Sequence, residues 1–189
     1  IDALLITHSH YDHVGGMDDV RPFCTFGDIN VYSDPVSEKS LRQSLPYCFK
    51  EHLYPGVPKI SLHTIHPHEE LQINELKIVP LRIMHDKLPI LGFKIGKLAY
   101  ITDMKTIPEE ELDFLQDIDC LVVNALRFTN AHHSHMLVDE ALAFARRTSA
   151  KRVFFTHMCH DIGLHEEVNK ILPAGTHLAY DGLTVEVDV

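Results

Sequence analysis

A histidine-rich motif near the start of the chain has the spacing of a metal site. Residues 7–16 read Thr-His-Ser-His-Tyr-Asp-His-Val-Gly-Gly and follow a short apolar run. Alternate side chains of an extended segment point to the same side, so His8 and His10 can bind one divalent cation. Asp12 and His13 lie in the turn that follows and can serve a second cation. Histidine is the commonest metal ligand, and this chain contains 15 of them.

Three further candidates follow short, mainly apolar runs, as His8 does. His85 follows Leu-Arg-Ile-Met, Asp103 follows Ala-Tyr-Ile-Thr, and His157 follows Val-Phe-Phe-Thr. In α/β folds, ligands bind beyond the carboxyl ends of strands. The repetition of this pattern predicts that the side chains at these strand ends share one site.

The order of the predicted elements indicates a single mixed α/β domain over residues 1–189. The chain begins inside a predicted strand and has no Met at its start, so we expect an N-terminal part of the domain to be missing. Turns are expected at Asn74-Glu75 and at 94–97, and residues 44–59 form a loop that could act as a lid. Strands are predicted at 1–7, 28–33, 60–65, 71–84, 91–102, 119–126, 152–156 and 177–187, and helices at 16–23, from 34 onward, 107–116, 137–148 and 166–172.

The candidate ligands, taken in chain order, resemble those of the metallo-β-lactamase superfamily of dinuclear hydrolases, and the resemblance covers nearly the whole chain. It implies an αββα sandwich, here lacking N-terminal strands of the first sheet. It also implies two divalent metal ions, Zn²⁺ or Mn²⁺. In that pattern the first metal is held by His8, His10 and His85, the second by Asp12, His13 and His157, and Asp103 bridges the two.

A second histidine cluster, at 132–135, precedes the predicted helix at 137–148. A histidine that titrates near neutral pH can donate a proton to a leaving alkoxide. This placement resembles the phosphodiesterase branch of the superfamily, which includes tRNase Z and the cyclic-phosphate phosphodiesterase of phosphonate breakdown. The resemblance implies that Asp12 and His135 are catalytic, with His135 as general acid. It implies that His132 and His160 either support the metal ligands or contact the substrate phosphate.

The expected function is therefore hydrolysis of a small cyclic phosphate or nucleotide-like phosphodiester by a hydroxide generated between two metal ions. A thioesterase or lactonase of the same superfamily would carry the same ligands and stays an alternative. A third alternative is a scaffold that keeps the metals without catalysis. The β-lactam-hydrolysing members typically have Cys where Asp103 stands, so antibiotic hydrolysis is not favoured.

Composition restricts the partners. With 17 basic and 27 acidic residues the net charge is −10, which argues against a stable nucleic-acid partner. No apolar run is long enough to span a membrane, and no export signal precedes the first motif. The four cysteines form no CxxC pair. We therefore expect a cytoplasmic enzyme with a small-molecule substrate, and a homodimer is compatible with the sequence.

Overall fold

The computed structural model describes residues 1–188. The chain divides into two compact units, Ile1–Glu69 and Glu70–Val189. None of the helices in the described residues combines the length and the apolar character that a membrane crossing requires.

The first unit contains a three-stranded parallel sheet. Its strands are β1 (Leu4–Leu5), β2 (Ile29–Ser33) and β3 (Ile60–Thr64), in the order β1-β2-β3. The helical segments that connect them are α1 (Tyr11–Val14), a 3₁₀ helix at Gly15–Phe26, α2 (Pro35–Ser44) and a 3₁₀ helix at Pro46–Phe49. Because all three strands run the same way, their carboxyl ends lie at one edge of the sheet.

Local sequence explains how α2 begins and packs. Asp34 caps the helix by accepting a hydrogen bond from the Ser37 N–H at 2.9 Å, and Pro35 occupies the first turn, where no N–H partner is needed. Alternate residues of β2 face inward, and Val31 packs in one core cluster with Leu41 of α2.

The second unit contains a seven-stranded mixed sheet. Its strands are β4 (Leu71–Ile73), β5 (Leu76–His85), β6 (Leu88–Ile95), β7 (Leu98–Ile101), β8 (Cys120–Asn124), β9 (Arg152–Thr156) and β10 (Thr176–Leu178). Their order in the sheet is β10-β9-β8-β7-β6-β5-β4. The strands β4 to β7 pair antiparallel, whereas β7 to β10 pair parallel.

The helices of this unit are α3 (Val138–Ala145) and α4 (His165–Ile171), with 3₁₀ helices at Glu109–Leu115 and His160–Ile162. Short turns join the antiparallel strands, and the turn residues Asn74 and Asp86 adopt the left-handed φ of 51° and 54° that such turns require. The main core includes Leu81, Ile101 and Phe155 from the sheet. This packing fixes the strand ends that carry the candidate ligands.

The predicted mixed α/β fold is confirmed, with differences at the element level. The segment predicted as a helix at 16–23 is a 3₁₀ helix, because Pro22 lies inside it and cannot donate the backbone hydrogen bond that an α-helix needs. The segment predicted as a helix at 107–116 is also 3₁₀. The strand predicted at 177–187 ends at Leu178. Apolar residues that follow it line a cavity of about 300 Å³ on the face of the sheet.

Candidate metal centre

The first unit brings four predicted ligands together after β1. His8 is buried, and its Nε2 atom lies 3.0 Å from Nδ1 of His10. The hydroxyl of Thr7 lies 3.1 Å from His8 Nδ1. When Nδ1–H of His8 donates to that hydroxyl, Nε2 keeps the lone pair that a metal needs.

Asp12 and His13 follow in α1, so the helix places both beside the first pair. Their side chains approach to 3.3 Å, with His13 16% exposed and Asp12 64% exposed. The His13 ring lies 4.3 Å from the His8 ring, centroid to centroid. Neighbouring imidazoles with an exposed carboxylate form a donor set for a divalent cation.

In the second unit His85 is the last residue of β5, and two backbone carbonyls fix its ring. Nδ1 lies 2.8 Å from the carbonyl of Asp103 and 3.1 Å from that of Ser134. Carbonyls only accept, so Nδ1 carries the proton and Nε2 has the lone pair. Burial lowers the pKa of His85, opposed in part by the hydrogen bond to the Asp103 carbonyl. The ring is thus held in the neutral form that binds metals.

Asp103 and His157 follow the parallel strands β7 and β9, and their side chains meet. Asp103 Oδ1 lies 3.1 Å from His157 Nδ1 and accepts a hydrogen bond from the Thr102 hydroxyl at 2.6 Å. Only 2% of the Asp103 side chain is exposed. Both residues have φ of 55°, which is uncommon outside glycine and costs about 1–3 kcal/mol each. Such conformations persist where the surroundings impose them, and they cluster at functional sites.

Asn124 belongs to this centre although it was not among the predicted residues. It is fully buried at the end of β8, between the strands that carry Asp103 and His157. Its amide hydrogen-bonds both backbone polar groups of Met104, the residue after Asp103. The pattern that singled out the other candidates, an apolar run ending in a polar residue, also describes Cys-Leu-Val-Val-Asn and would have found it.

His135 packs directly against these ligands. Its Nε2 lies 3.4 Å from Asp103 Oδ2, and its ring stacks on that of His157 at 4.9 Å with 17° between the planes. Its Nδ1 lies 3.0 Å from Nδ1 of His132. Burial, with the neighbouring His135, lowers the pKa of His132. The loop that carries them is closed at its base by the bonds from Leu126 N–H to the Met136 carbonyl and from Val138 N–H to the Arg127 carbonyl.

His160 is placed differently from the other candidates. Its side chain is 92% exposed and lies 3.3 Å from Asp161. Among the described residues of the second unit, the structure groups His85, Asp103, His132, His135 and His157, and His160 stands outside that group. Its assignment as a phosphate contact stays a prediction.

The donor chemistry in each unit fits divalent cations. Ligand atoms lie within 4.8 Å of one another in these pairs of residues: His8 with His10, Asp12 with His13, Asp103 with His85, and Asp103 with His157. Imidazole and carboxylate donors suit Zn²⁺ and also suit Mn²⁺. The choice between the two metals stays a prediction.

Comparisons with known proteins extend these observations. A family model described as "Beta-lactamase superfamily domain" matches residues 1–158. A crystal structure of a diphosphatase from the PhnP family aligns with a TM-score of 0.89 and 34% identity over 100% of this chain and 72% of that chain. Human tRNase Z, short form, aligns with a TM-score of 0.73 and 16% identity over 100% of this chain and 80% of the other, which shows the shared fold.

One relative is much longer than the chain. An octanoyltransferase of Porphyromonas gingivalis strain W83 is 40% identical over 188 residues, which is 100% of this chain and 38% of that protein. The chain therefore spans well under half the length of this relative, and most of the octanoyltransferase lies outside the match.

Proposed function

Since the chain belongs to the metallo-β-lactamase superfamily of metal-dependent hydrolases, we propose that it hydrolyses a small phosphodiester, such as a cyclic phosphate or a nucleotide-like diester. The observation that carries this proposal is His135, a histidine held by a buried carboxylate and stacked on a candidate ligand. A thioester releases a thiolate, which needs such a proton donor less than the alkoxide of an alkyl phosphate does.

The ligand assignment follows the superfamily pattern. In that pattern one cation would be held by His8, His10 and His85 and the other by Asp12, His13 and His157, with Asp103 as a ligand shared by the two. Two divalent cations bound there would lower the pKa of water toward neutrality and stabilise negative charge on the phosphate. The neutral state of His85, favoured by its burial, supports this assignment.

The chain's own residues account for the proton transfer. Hydrolysis adds water to phosphorus and breaks one P–O bond, and the departing oxygen must gain a proton. His135 donates that proton, with Asp103 Oδ2 beside its Nε2 atom and the His157 ring fixing its plane. His132, whose pKa is lowered by burial, stays neutral as the partner of the other ring nitrogen.

Charge and similarity support a small substrate. The net charge of −10 disfavours a long nucleic acid. The PhnP-family relative, which has the same fold and is 34% identical to this chain, is a diphosphatase and so cleaves a P–O bond. A phosphoric anhydride therefore belongs in the substrate panel beside the diesters.

A second candidate is a thioesterase. The 40% identical relative is an octanoyltransferase, which is an acyl-transfer protein. The chain matches only 38% of it, so the name can refer to the part of that protein outside the match. An octanoyl thioester is the appropriate probe for this candidate.

The test is hydrolysis of bis(p-nitrophenyl) phosphate and of a 2′,3′-cyclic nucleotide with added Zn²⁺ or Mn²⁺. We expect metal-dependent turnover that Asp103→Ala abolishes. We expect His135→Ala to lower the rate of hydrolysis of the cyclic nucleotide by about 10²- to 10⁴-fold, the usual contribution of a general acid. A folded, metal-loaded protein that cleaves octanoyl thioesters and no phosphate compound would replace this proposal with the thioesterase. No turnover of any probe would favour the non-catalytic scaffold.

A further inference from the structure

We propose that Lys105 and Glu140 form a clamp that positions His135 for proton transfer, an inference that rests on the proposed function. The ammonium group of Lys105 lies 2.8 Å and 3.0 Å from the two carboxylate oxygens of Glu140. The same group donates a hydrogen bond to the backbone carbonyl of His135 at 3.3 Å. Lys105 therefore contacts both helix α3, through Glu140, and the backbone of His135, the proposed general acid.

Glu140 holds the other end of the same short segment. Its Oε2 accepts a hydrogen bond from the N–H of Leu137 at 2.7 Å, just before α3 begins. The clamp thus holds the backbone at His135 and at Leu137, on both sides of the buried Met136. Because the segment is held at both places, the backbone that carries the imidazole has little freedom to shift.

Lys105 is itself anchored to the strands that carry ligands. It lies two residues after Asp103, and its N–H donates to the Met84 carbonyl at 2.8 Å, next to His85 in β5. The clamp consequently ties the His135 segment to the backbone on which Asp103 and His85 lie. Misplacing a catalytic group by about 1 Å can cost about 100-fold in rate, so the clamp can matter for catalysis even where it adds little stability.

The chain offers a matched control for the lysine. Lys94 is 18% exposed and lies 2.6 Å from Asp117, while Lys105 is 22% exposed. The two pairs are alike in burial and length, but Lys94 makes its contacts at the end of the sheet where Lys97 also lies. Lys94→Met therefore removes an ion pair of similar burial and length, although Lys97 still lies 3.5 Å from Asp117. Of the two lysines, Lys105 is the one that donates to the His135 carbonyl.

The kinetic test compares two diesters that differ in leaving group. Bis(p-nitrophenyl) phosphate releases a weakly basic phenolate that needs no proton, while diphenyl phosphate releases a more basic phenolate whose departure gains more from proton donation. We expect Lys105→Met to lower the rate of hydrolysis of diphenyl phosphate by roughly 10- to 100-fold and that of bis(p-nitrophenyl) phosphate by less than about threefold. Glu140→Gln, which keeps an acceptor for Leu137, should show the same selectivity with a smaller loss. An equal loss with both esters would overturn the inference, since the clamp would then act on something other than proton donation.

Hydrogen exchange tests the clamp without catalysis. Amides of residues 127–137 should exchange faster in Lys105→Met than in the wild type, and Lys94→Met should leave them unchanged. Unchanged exchange in Lys105→Met would overturn the inference whatever the kinetics. A wild type that cleaves neither ester would defeat the proposed function. Faster exchange confined to Lys105→Met would then still support the clamp as the device that positions His135.

Discussion

The side-chain amide of Asn124 completes the hydrogen bonding of Met104. Its Oδ1 accepts from the Met104 N–H at 2.7 Å, and its Nδ2 donates to the Met104 carbonyl at 3.0 Å. Both residues are buried, so water cannot replace the bonds. The pair links the end of β8 to the residue that follows Asp103, whose φ is 55°.

Asn124→Leu should destabilise the protein by about 2–6 kcal/mol. The substitution keeps the branched heavy-atom skeleton but leaves two buried backbone groups without their partner, at about 1–3 kcal/mol each. Urea unfolding of the metal-free protein measures the loss. Asn30→Leu is the control, because the contact of Asn30 with His63 is exposed and its loss should cost about 0.5 kcal/mol or less. Similar losses in both variants would contradict the role given to Asn124.

Metal binding should raise the melting temperature, and the rise should depend on Asp103. A cation at about 100 times its dissociation constant adds about 2.7 kcal/mol to a native state that binds it, which corresponds to several degrees in a protein of this size. We expect Asp103→Asn to lose most of the shift and the exposed His160→Asn to keep it. Scanning calorimetry with chelator, Zn²⁺ and Mn²⁺ in turn measures the shift and ranks the two metals. Retention of the full shift in Asp103→Asn would show that the cation binds elsewhere.

Glu140 should contribute stability that disappears in acid. Burial raises the pKa of its carboxyl, but the Lys105 ammonium and the Leu137 N–H outweigh that effect and lower the pKa below the ordinary 4.5. As the pH falls, the unfolded chain therefore takes up this proton first. The stabilisation is complete above about pH 4.5 and is lost as the pH falls through the folded pKa.

The measurement compares the free energy of unfolding of the wild type with that of Glu140→Gln at pH 7 and pH 3.5. The wild type should be the more stable at pH 7, by no more than about 1 kcal/mol because the pair is partly exposed, and the difference should shrink at pH 3.5. A difference that is the same at both pH values would mean that the carboxylate charge contributes nothing.

Two glycines separate backbone strain from steric clash. Gly175 and Gly182 both have positive φ, 81° and 89°. A Cβ on Gly175 would lie 2.6 Å from the Lys151 carbonyl oxygen, whereas one on Gly182 would meet nothing within 4 Å. Gly182→Ala should cost about 1 kcal/mol from strain alone, and Gly175→Ala clearly more, as measured by urea unfolding. Equal costs would show that the backbone near Lys151 moves aside freely.

Strand-end positions explain why much of the centre could be predicted. His85, Asp103 and His157 each follow an apolar run, and the structure places each at the end of a strand of the second unit. An apolar run that ends in a polar residue is a local property, so it can be recognised directly in the sequence. Asn124 obeys the same rule, so the sequence also carries a local signal for it.

Other features depend on contacts that no local pattern encodes. Lys105 and Glu140 are 35 positions apart, and the sequence gives no reason to pair them before the fold is known. The exposed position of His160 depends on how the 3₁₀ turn at His160–Ile162 leaves β9. Apolar periodicity likewise predicted helices at 16–23 and 107–116 but could not distinguish α from 3₁₀ geometry, which was decided in the first case by Pro22.

The contact between Asp103 and His157 also sets an order of events during synthesis. The two residues follow β7 and β9, which are joined through β8 by long parallel crossovers, so the contact cannot form until the ribosome has released the chain beyond β9. Parallel pairing of distant segments is slow compared with local helix and hairpin formation. A nascent chain that ends before His157 carries Asp103 without its partner. Completion of this donor pair therefore follows the emergence of β9 and His157 from the ribosome, well after the local hairpins of the second unit can form.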